Sequence, residues 1–401
     1  MAEQSNHAIV FGAAGLLGWS VVNQLLSGYP RAGSFSKVTA VVNRPVSEAD
    51  LCLPETSPQR PALQVVSGID LLQGSGDALA RQLADRVPDA GRITHVFYFV
   101  FSSFNEDHVR ECEINCEMMQ RVADAANILT SSLQSFVYPG GTRGYGIYVP
   151  GGTFTAPLQE TLADQLPEDY ARTCAYPWFR QTLTKASRGR SWSWTEVCPD
   201  AVVGFSPHGS AFSLALHWAQ YLSLYAFNHG IQPGKVPPSG KEIRVAFPGC
   251  QEAFDSKFTP VSGKILGRIS IHAALNPGTC GGKVVNMADN DRPTSFSKVW
   301  PAIASWFGLV GVGPAGDEGA LKPGEYVAKH KQAFAEQNRP KALKCGVGAG
   351  SAQLDAVGWW LKFDRHLSLE RLRVLGFQEQ RDPVEGWLGA FEQFRAAGII
   401  L

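Results

Sequence analysis

The N-terminal half of the chain alternates short, unbroken apolar runs with longer stretches whose apolar residues recur at helical spacing. Ala8-Ile9-Val10-Phe11 is continuous, the pattern of a strand buried on both faces. Gly12 to Gly18 interrupts it, and Leu17 to Leu26 then predicts a helix. Further strands are predicted at Val38–Val42, which ends in Asn43-Arg44-Pro45, and at Leu63–Val66, which stops at Ser67-Gly68-Ile69-Asp70. Residues 46 to 61, rich in Pro, Ser and Glu, predict a surface loop. A helix at Ala78–Leu83, a strand at His95–Val100 and a long helix at Glu111–Ala126 follow. Ser135–Tyr138 predicts a fifth strand, ending in Pro139-Gly140-Gly141, and Trp194–Val197 a sixth.

Strands alternating with helices at this spacing imply parallel pairing through right-handed crossovers. The carboxyl ends of the strands then share one edge, where open α/β sheets bind ligands. Past residue 205 the rhythm changes. His217–Phe227 is an apolar, aromatic helix, residues 230 to 249 form a Pro/Gly-rich connection, and helical stretches surround Trp300 and Glu370. The expected organisation is therefore α/β: a Rossmann-type doubly wound parallel sheet with a smaller, mostly helical C-terminal substrate lobe. Residues 1–205 form the nucleotide-binding domain with the catalytic segments. Residues 206–401 are mainly the lobe, with some segments returning to the sheet.

Composition narrows the partners. Hydrophobic residues make up 44% of the 401-residue chain and charged ones 18%, enough for a sizeable core. Lys plus Arg and Asp plus Glu each total 36, so the formal net charge is zero. Nucleic-acid binders carry a basic excess, so no nucleic acid is expected. Met1 to His7 is polar and no apolar run is long enough to span a bilayer. A cytoplasmic protein without a membrane partner is the resulting expectation. The eight cysteines are scattered without a C-x-x-C pair. Cys112 and Cys116, four apart on a helix, lack a matching His/Cys pair, so no metal is expected. The uncharged balance and long C-terminal helices permit a homodimer without requiring one.

The strongest chemical signal is Gly12-Ala-Ala-Gly15-Leu16-Leu17-Gly18, between the first strand and the first helix. In such a turn the first glycine permits the tight bend, the second lets the backbone approach a pyrophosphate, and the third allows helix and strand to pack closely. The backbone N–H groups at the helix start, around Leu16 and Leu17, face the phosphates, where the helix dipole favours negative charge. Arg44 lies just past the second strand, where an acidic residue would bind a ribose 2′-hydroxyl and an arginine suits a 2′-phosphate. Asn43-Arg44-Pro45 thus favours NADP(H) as cofactor. Asp70 is placed either to meet the adenine edge or to cap a helix.

Ordered segments along most of the chain resemble one group of enzymes. They are Thr94-His-Val-Phe-Tyr98, Glu113-Ile-Asn-Cys116, Pro199-Asp-Ala-Val-Val-Gly-Phe-Ser-Pro207, Val245-Ala-Phe-Pro-Gly249, Val285-Asn-Met-Ala-Asp289, and Phe363-Asp364 with Gly376-Phe377. Together they are similar to the extended short-chain dehydrogenases, in particular the progesterone 5β-reductase/iridoid synthase family. The resemblance implies an NADPH-dependent enzyme that reduces the C=C bond of an enone by 1,4-hydride addition, with Val202 near the cofactor.

Two motifs depart from that family. Its Thr-Gly-x-Lys-His-Tyr pattern is matched by Gly140-Gly-Thr-Arg143-Gly-Tyr145, with an arginine in place of the lysine. Its Phe-Tyr-Tyr-x-x-Glu-Asp pattern is matched by Cys174-Ala-Tyr176-Pro-Trp-Phe-Arg180, so one tyrosine of the pair remains and the acidic pair is gone. Either Tyr176 or Ala175 falls at the catalytic place. Hydride addition to an enone builds an enolate whose oxygen needs a donor, and losing one donor costs roughly 3–4 kcal/mol. Tyr176 is the first candidate, with Tyr145 as a substitute and Arg143 as a nearby positive charge; the alternative for Arg143 is contact with a loop or a phosphate only. Tyr176 and Arg180 also make a Tyr-x-x-x-Arg echo of the short-chain dehydrogenase dyad. Phe99 and Phe101 either wall the nicotinamide pocket or pack the core. Tyr148, Trp178 and Phe212, with Phe179, Trp218 and Tyr221, would form an aromatic cavity for a hydrophobic small molecule if the lobe closes over the sheet edge; the alternative for an aromatic stripe at helical spacing is core packing. His208 and His217 have no apparent partner and read as surface or satisfied positions and not as ligands. Two other readings stay open: a redox-neutral cyclase or isomerase on the same fold, and a nucleotide-sensing regulator.

Overall fold

The computed structural model describes residues 5–55, 57, 60–104, 107–231, 242–316, 321–346 and 351–401. Residues 1–4 of the polar start, positions 56, 58 and 59 of the first loop, and 232–241 of the Pro/Gly-rich connection lie outside the described residues.

Strand β1 (His7–Phe11) is buried at every position. Ala8 and Val10 enter the core on one face of the sheet, and Ile9 and Phe11 the core on the other, which is why an unbroken apolar run was needed there. Helix α1 (Leu16–Leu26) leads to β2 (Lys37–Val41), and β3 (Ala62–Val66) follows the first loop. Helix α2 (Gly76–Arg86) precedes β4 (His95–Tyr98), which ends two residues short of the expected Val100. Helix α3 (His108–Leu129) starts earlier than its apolar pattern because Asp107 caps it, accepting from the Arg110 N–H at 3.0 Å. Strand β5 (Ser135–Pro139), a one-turn helix α4 (Glu168–Ala171), α5 (Ala175–Ser187) and β6 (Ser193–Pro199) complete the first half.

Strand β7 (Ala201–Val203) and helix α6 (Leu214–Asn228) open the second half. Then come β8 (Arg244–Ala246), α7 (Gln251–Asp255), β9 (Pro260–Ser262), α8 (Gly263–Leu275), α9 (Pro277–Cys280), β10 (Lys283–Met287), α10 (Phe296–Trp306) and β11 (Val310–Val312). The main sheet has seven strands in the order β3-β2-β1-β4-β5-β6-β10, every neighbour parallel. It is a doubly wound Rossmann sheet. The seventh strand, β10, was not among the predicted strands; it returns from the C-terminal half to pair with β6. The stretch around Glu370 shrinks to a short helix, Glu370–Val374.

Helices α1 and α8 cover one face of the sheet, and α2, α3 and α5 the other. A third core belongs to the lobe. Trp218 on α6 stacks on Trp387 at 5.3 Å and meets Trp300 at 5.3 Å and Phe247 at 6.0 Å. Trp218 and Tyr221 are fully buried in it, and Phe179 is buried against the sheet. These three rings therefore take the core-packing alternative and do not line a substrate cavity. Aromatic rings at helical spacing on an all-round apolar helix find their cheapest burial against other helices. His217 is the satisfied case: it is buried, with Nε2 2.7 Å from Asp355 Oδ1, a partner the sequence did not show. Among the described residues, no helix is long and apolar enough to cross a membrane, and no cluster of three or more His, Cys, Asp or Glu is arranged to hold a metal ion.

Two buried histidines make stability sensitive to acid. His7 Nε2 lies 2.9 Å from Thr39 Oγ1, and His95 Nδ1 lies 2.8 Å from Thr94 Oγ1. Burial, helped at His7 by Lys37, pushes both imidazoles down to about 4. The unfolded chain takes up those protons near pH 6.5, so the stability they contribute is present above that pH and lost as pH falls toward 4. Urea unfolding should show a loss of about 2–3 kcal/mol per histidine between pH 7 and 4.5. An acid loss of the same size in the His7→Gln/His95→Gln double variant would refute this origin.

Candidate active site

β1 and β4 are neighbours whose following helices, α1 and α3, leave on opposite faces, so a crevice opens at their carboxyl ends. The glycine-rich turn lies in that crevice. Gly12 has φ +77°, and a Cβ there would lie 2.3 Å from the Phe99 carbonyl oxygen. A Cβ at Gly18 would lie 2.2 Å from the Gly12 carbonyl oxygen. Protein packing alone therefore demands glycine at both ends of the turn. Gly15 is different: its added Cβ would meet only the Gly12 carbonyl, at 3.3 Å, and its remaining side is open. Gly15 is the N-cap of α1, which has no capping side chain and no acidic residue in its first turn. Among the described residues, the first amides of that helix, at Leu16, Leu17 and Gly18, have no side-chain acceptor, and the local field favours an anion. The cradle fits a dinucleotide pyrophosphate.

The flanking residues take up positions along this crevice. Asn43 and Arg44 are exposed just past β2, and Arg44 makes no hydrogen bond or ion pair with any described residue. Asp70 is exposed beyond β3 and accepts from the Leu72 N–H at 2.9 Å. It caps that turn and not a helix, since Ser75 caps α2. Phe99 is buried against Gly12, and Phe101 is partly exposed beyond it. Val202 on β7 is half-buried. Two residues on, Gly204 packs against Leu16, where a Cβ would lie 3.2 Å from Leu16 Cδ1.

The opposite wall comes from the turn after β5 and the start of α5. Tyr176 lies beside that turn: added Cβ atoms at Gly141 and Gly144 would lie 3.3 Å from its hydroxyl and 3.1 Å from its ring. Its hydroxyl has no hydrogen-bond partner among the described residues. Burial chiefly, and Cys174 next, push the phenol well above its ordinary value, against the opposing pull of Arg143. At neutral pH Tyr176 is therefore a protonated, unengaged donor.

Arg143 stands next to it but is already held. One end of its guanidinium donates to Glu111 Oε1 and the other to the Thr173 carbonyl, and the group lies over the Tyr148 ring at 5.2 Å. Tyr148 is partly exposed and in turn meets Trp360 at 5.6 Å and His108 at 6.1 Å.

Several expected roles fail on geometry. Tyr145 is buried and donates to Asn286 Oδ1 at 2.6 Å. It ties the turn to β10 and is no substitute donor, because its hydroxyl is already engaged away from solvent. Arg180 points beneath the turn: it donates to Glu196 Oε2 at 2.9 Å and to the Ala163 carbonyl at 2.9 Å. The Tyr-x-x-x-Arg spacing therefore makes no dyad. Trp178 is exposed on α5 and donates to the Ala171 carbonyl at 3.3 Å. Phe212 is exposed on the loop before α6, with no ring neighbour among the described residues. The structure brings Tyr148, Arg143 and Tyr176 together but leaves Trp178 and Phe212 apart from one another's rings. A cavity of about 650 Å³ opens elsewhere in the lobe, bordered by Trp359, Phe334 and Val327, with Lys322 and Asp355 among its polar residues.

Sequence reasoning missed Glu111, Trp360 and the pair Asp200–Arg365. Glu111 reads as one more polar position on an amphipathic helix, and nothing local shows that it is buried under Arg143. Asp200 follows β6 and is fully buried with Arg365, Nε to Oδ1 3.3 Å, while Thr142 donates to it at 3.3 Å.

Comparison with known proteins agrees with this architecture. The family model described as the PRISE-like Rossmann-fold domain matches residues 8–401. The chain is 30% identical to the short chain dehydrogenase sirQ of Leptosphaeria maculans, over 98% of this chain and 97% of the relative. It is 31% identical to the short chain dehydrogenase sirS of the same organism, again over 98% and 97%. Among solved structures, a putative epimerase from Burkholderia cenocepacia superposes with TM-score 0.60 at 16% identity, covering 98% of this chain and 99% of that one. MlghC, the GDP-mannoheptose C4 reductase from Campylobacter jejuni with NADP bound, superposes with TM-score 0.57 at 12% identity, covering 98% and 100%. At these identities the solved structures speak to the fold alone.

The Arg180–Glu196 pair gives a test of the site's foundation. Arg180→Met should destabilise the protein by about 3–5 kcal/mol at pH 7, because Glu196 is left buried with only Tyr138 donating to it, at 2.9 Å. The loss should shrink at pH 5, where Glu196, already raised by burial, accepts a proton. Denaturant midpoints at the two pH values measure this, and a loss independent of pH would contradict it.

Proposed function

The chain belongs to the PRISE-like Rossmann-fold family, and from that premise we propose that it is an NADPH-dependent reductase of the progesterone 5β-reductase/iridoid synthase type. Its substrate is a hydrophobic small molecule with an activated C=C bond or a carbonyl. The observation that carries the reading is the unengaged, protonated hydroxyl of Tyr176 at the wall of a crevice whose floor is the glycine cradle. The relatives named short chain dehydrogenases support a reductase role. The NADP held by one structural neighbour supports a nicotinamide cofactor, and Arg44 is what favours the phosphorylated form.

NADPH, when bound, supplies a hydride to the electrophilic carbon. Negative charge then builds on the substrate's carbonyl oxygen, and Tyr176 donates its hydroxyl hydrogen bond there. Burial keeps the phenol protonated across the neutral range, so it arrives at that moment as a donor. Arg143 orders the wall: pinned by Glu111 and Thr173, it holds Tyr148 in place and faces Tyr176. Gly12, Gly15 and Gly18 keep the turn low enough for a pyrophosphate to reach the first amides of α1.

One observation favours a second reading. The cation that replaces the family's lysine is neutralised by Glu111, which suits a redox-neutral cyclisation or isomerisation in the same cavity. Product mass separates the two, since reduction adds two hydrogens and rearrangement adds none.

Titration with NADPH and NADH, followed by nicotinamide fluorescence, should show tighter binding of NADPH, with the preference lost in Arg44→Ala. Tyr176→Phe should lower kcat on a responsive enone by about a hundredfold or more while leaving NADPH affinity unchanged. Full turnover in Tyr176→Phe would remove its assigned role, and failure to bind either nucleotide would overturn the reductase reading.

A further inference from the structure

A subsite for the ribose 2′-phosphate of NADPH around Arg44 rests on the proposed function, which puts that phosphate at this arginine. Three segments far apart in sequence are brought together near the glycine-rich turn: two are bonded to the turn or its helix, and the third packs on the first of them. Ser206 Oγ lies 3.4 Å from the Ala14 carbonyl within the turn and 2.9 Å from the Gly209 carbonyl, so the 206–210 loop is docked directly on the cradle. Gly209, at φ +75°, presses against the next segment: a Cβ there would lie 3.1 Å from the Cys345 carbonyl carbon. Cys345 closes the short helix Pro340–Lys344, which carries Lys341. On the other side, Trp19 of α1 donates its indole N–H to the Leu51 carbonyl at 2.7 Å. That bond holds the turn of residues 49–51, in which Asp50 is folded back onto Ser47.

This packing places His208 within electrostatic reach of Arg44, Lys341 and Asp50 at once. Asp50 in turn feels both His208 and Lys341. Burial holds the His208 imidazole below its ordinary value, as do Arg44 and Lys341, against the opposing pull of Asp50. Two permanent cations, Arg44 and Lys341, thus act on one exposed histidine, an arrangement in which like charges repel until an anion arrives. None of the three lies in the same element, and Arg44 and Lys341 have no ion-pair partner among the described residues.

We propose that His208 and Lys341 complete the 2′-phosphate subsite with Arg44, so that the C-terminal lobe takes part in choosing NADPH over NADH. A phosphate monoester carries close to two negative charges at neutral pH, which suits a fork from Arg44, a point charge from Lys341 and an imidazole donor from His208. Asp50, bonded to Ser47, opposes the phosphate by its charge and so sets an upper limit on affinity.

The test uses dissociation constants of NADPH and NADH for the full chain and for four single variants at exposed positions. Lys341→Ala and His208→Ala should each weaken NADPH about 5- to 30-fold and leave NADH within about twofold, the effect expected of one charge-assisted contact. Asp50→Asn should act in the opposite direction and tighten NADPH. If Arg44→Ala abolishes the preference while both lobe variants leave it unchanged, the subsite belongs to Arg44 alone and this inference is overturned, with the reductase reading intact. If Arg44→Ala itself leaves the preference unchanged, the placement of the 2′-phosphate falls and the inference falls with it.

Discussion

The passage of the glycine-rich turn across the end of the fourth strand constrains everything around the crevice. Gly12 runs so close to the Phe99 carbonyl that a single methyl group would overlap it at 2.3 Å, and Gly18 closes on Gly12 just as tightly. With φ +77°, Gly12 also adopts a backbone conformation that other residues reach only with strain. These two contacts set the height of the turn over the sheet. They therefore set where the first amides of α1 point, and so where an anion can be bound. The lobe is built onto the same reference: Trp19 of α1 meets Phe205 at 4.8 Å, and Ser206 hydrogen-bonds to the turn itself.

Around this cradle the strand ends are cross-linked by buried charge. Arg143 pairs with Glu111, Arg180 with Glu196, and Arg365 with Asp200. Each pair joins segments distant in sequence, and each neutralises charge where water is scarce. Such pairs add little net stability over well-packed apolar groups, but breaking one is costly. They act as positional pins. The consequence for Tyr176 is direct: its cationic neighbour is offset by a carboxylate, so burial dominates and the phenol keeps its proton. The wall opposite the cradle is a hydrogen-bond donor held in place by neutralised charges. It is not an open field of positive potential.

Much of the fold was legible in the sequence. Strands buried on both faces need continuous apolar runs, and these marked β1 to β6 to within a few residues. The exceptions have physical causes. β4 ends early because beyond the Phe99 N–H, which still donates to the Phe11 carbonyl at 3.0 Å, the Phe99 carbonyl is taken up against Gly12, and α3 begins early because Asp107 caps it. β10 escaped notice because Val284-Val285 between Lys283 and Asn286 is too short a run to distinguish from a loop; its pairing with β6 is a long-range fact. The candidate positions were legible where they are local. The glycines, Asn43, Arg44 and Tyr176 fall at positions fixed by the ends of adjacent elements.

Sequence could not say which polar groups were free. Tyr145 and Tyr176 look equivalent as residues near one turn, yet Tyr145 is bound to Asn286, across 141 positions, and Tyr176 is bound to nothing described. Arg143 and Arg180 look like spare cations until Glu111 and Glu196 are seen beneath them. Trp218 looks like a cavity wall until Trp300 and Trp387 close over it, and Tyr221 until Tyr326 meets it. By itself the sequence determined six of the seven strands and the turn, because those follow from periodicity and from steric limits on neighbouring residues. Only the tertiary structure decided which side chains remain available for chemistry, because availability depends on partners that the chain brings together from far apart.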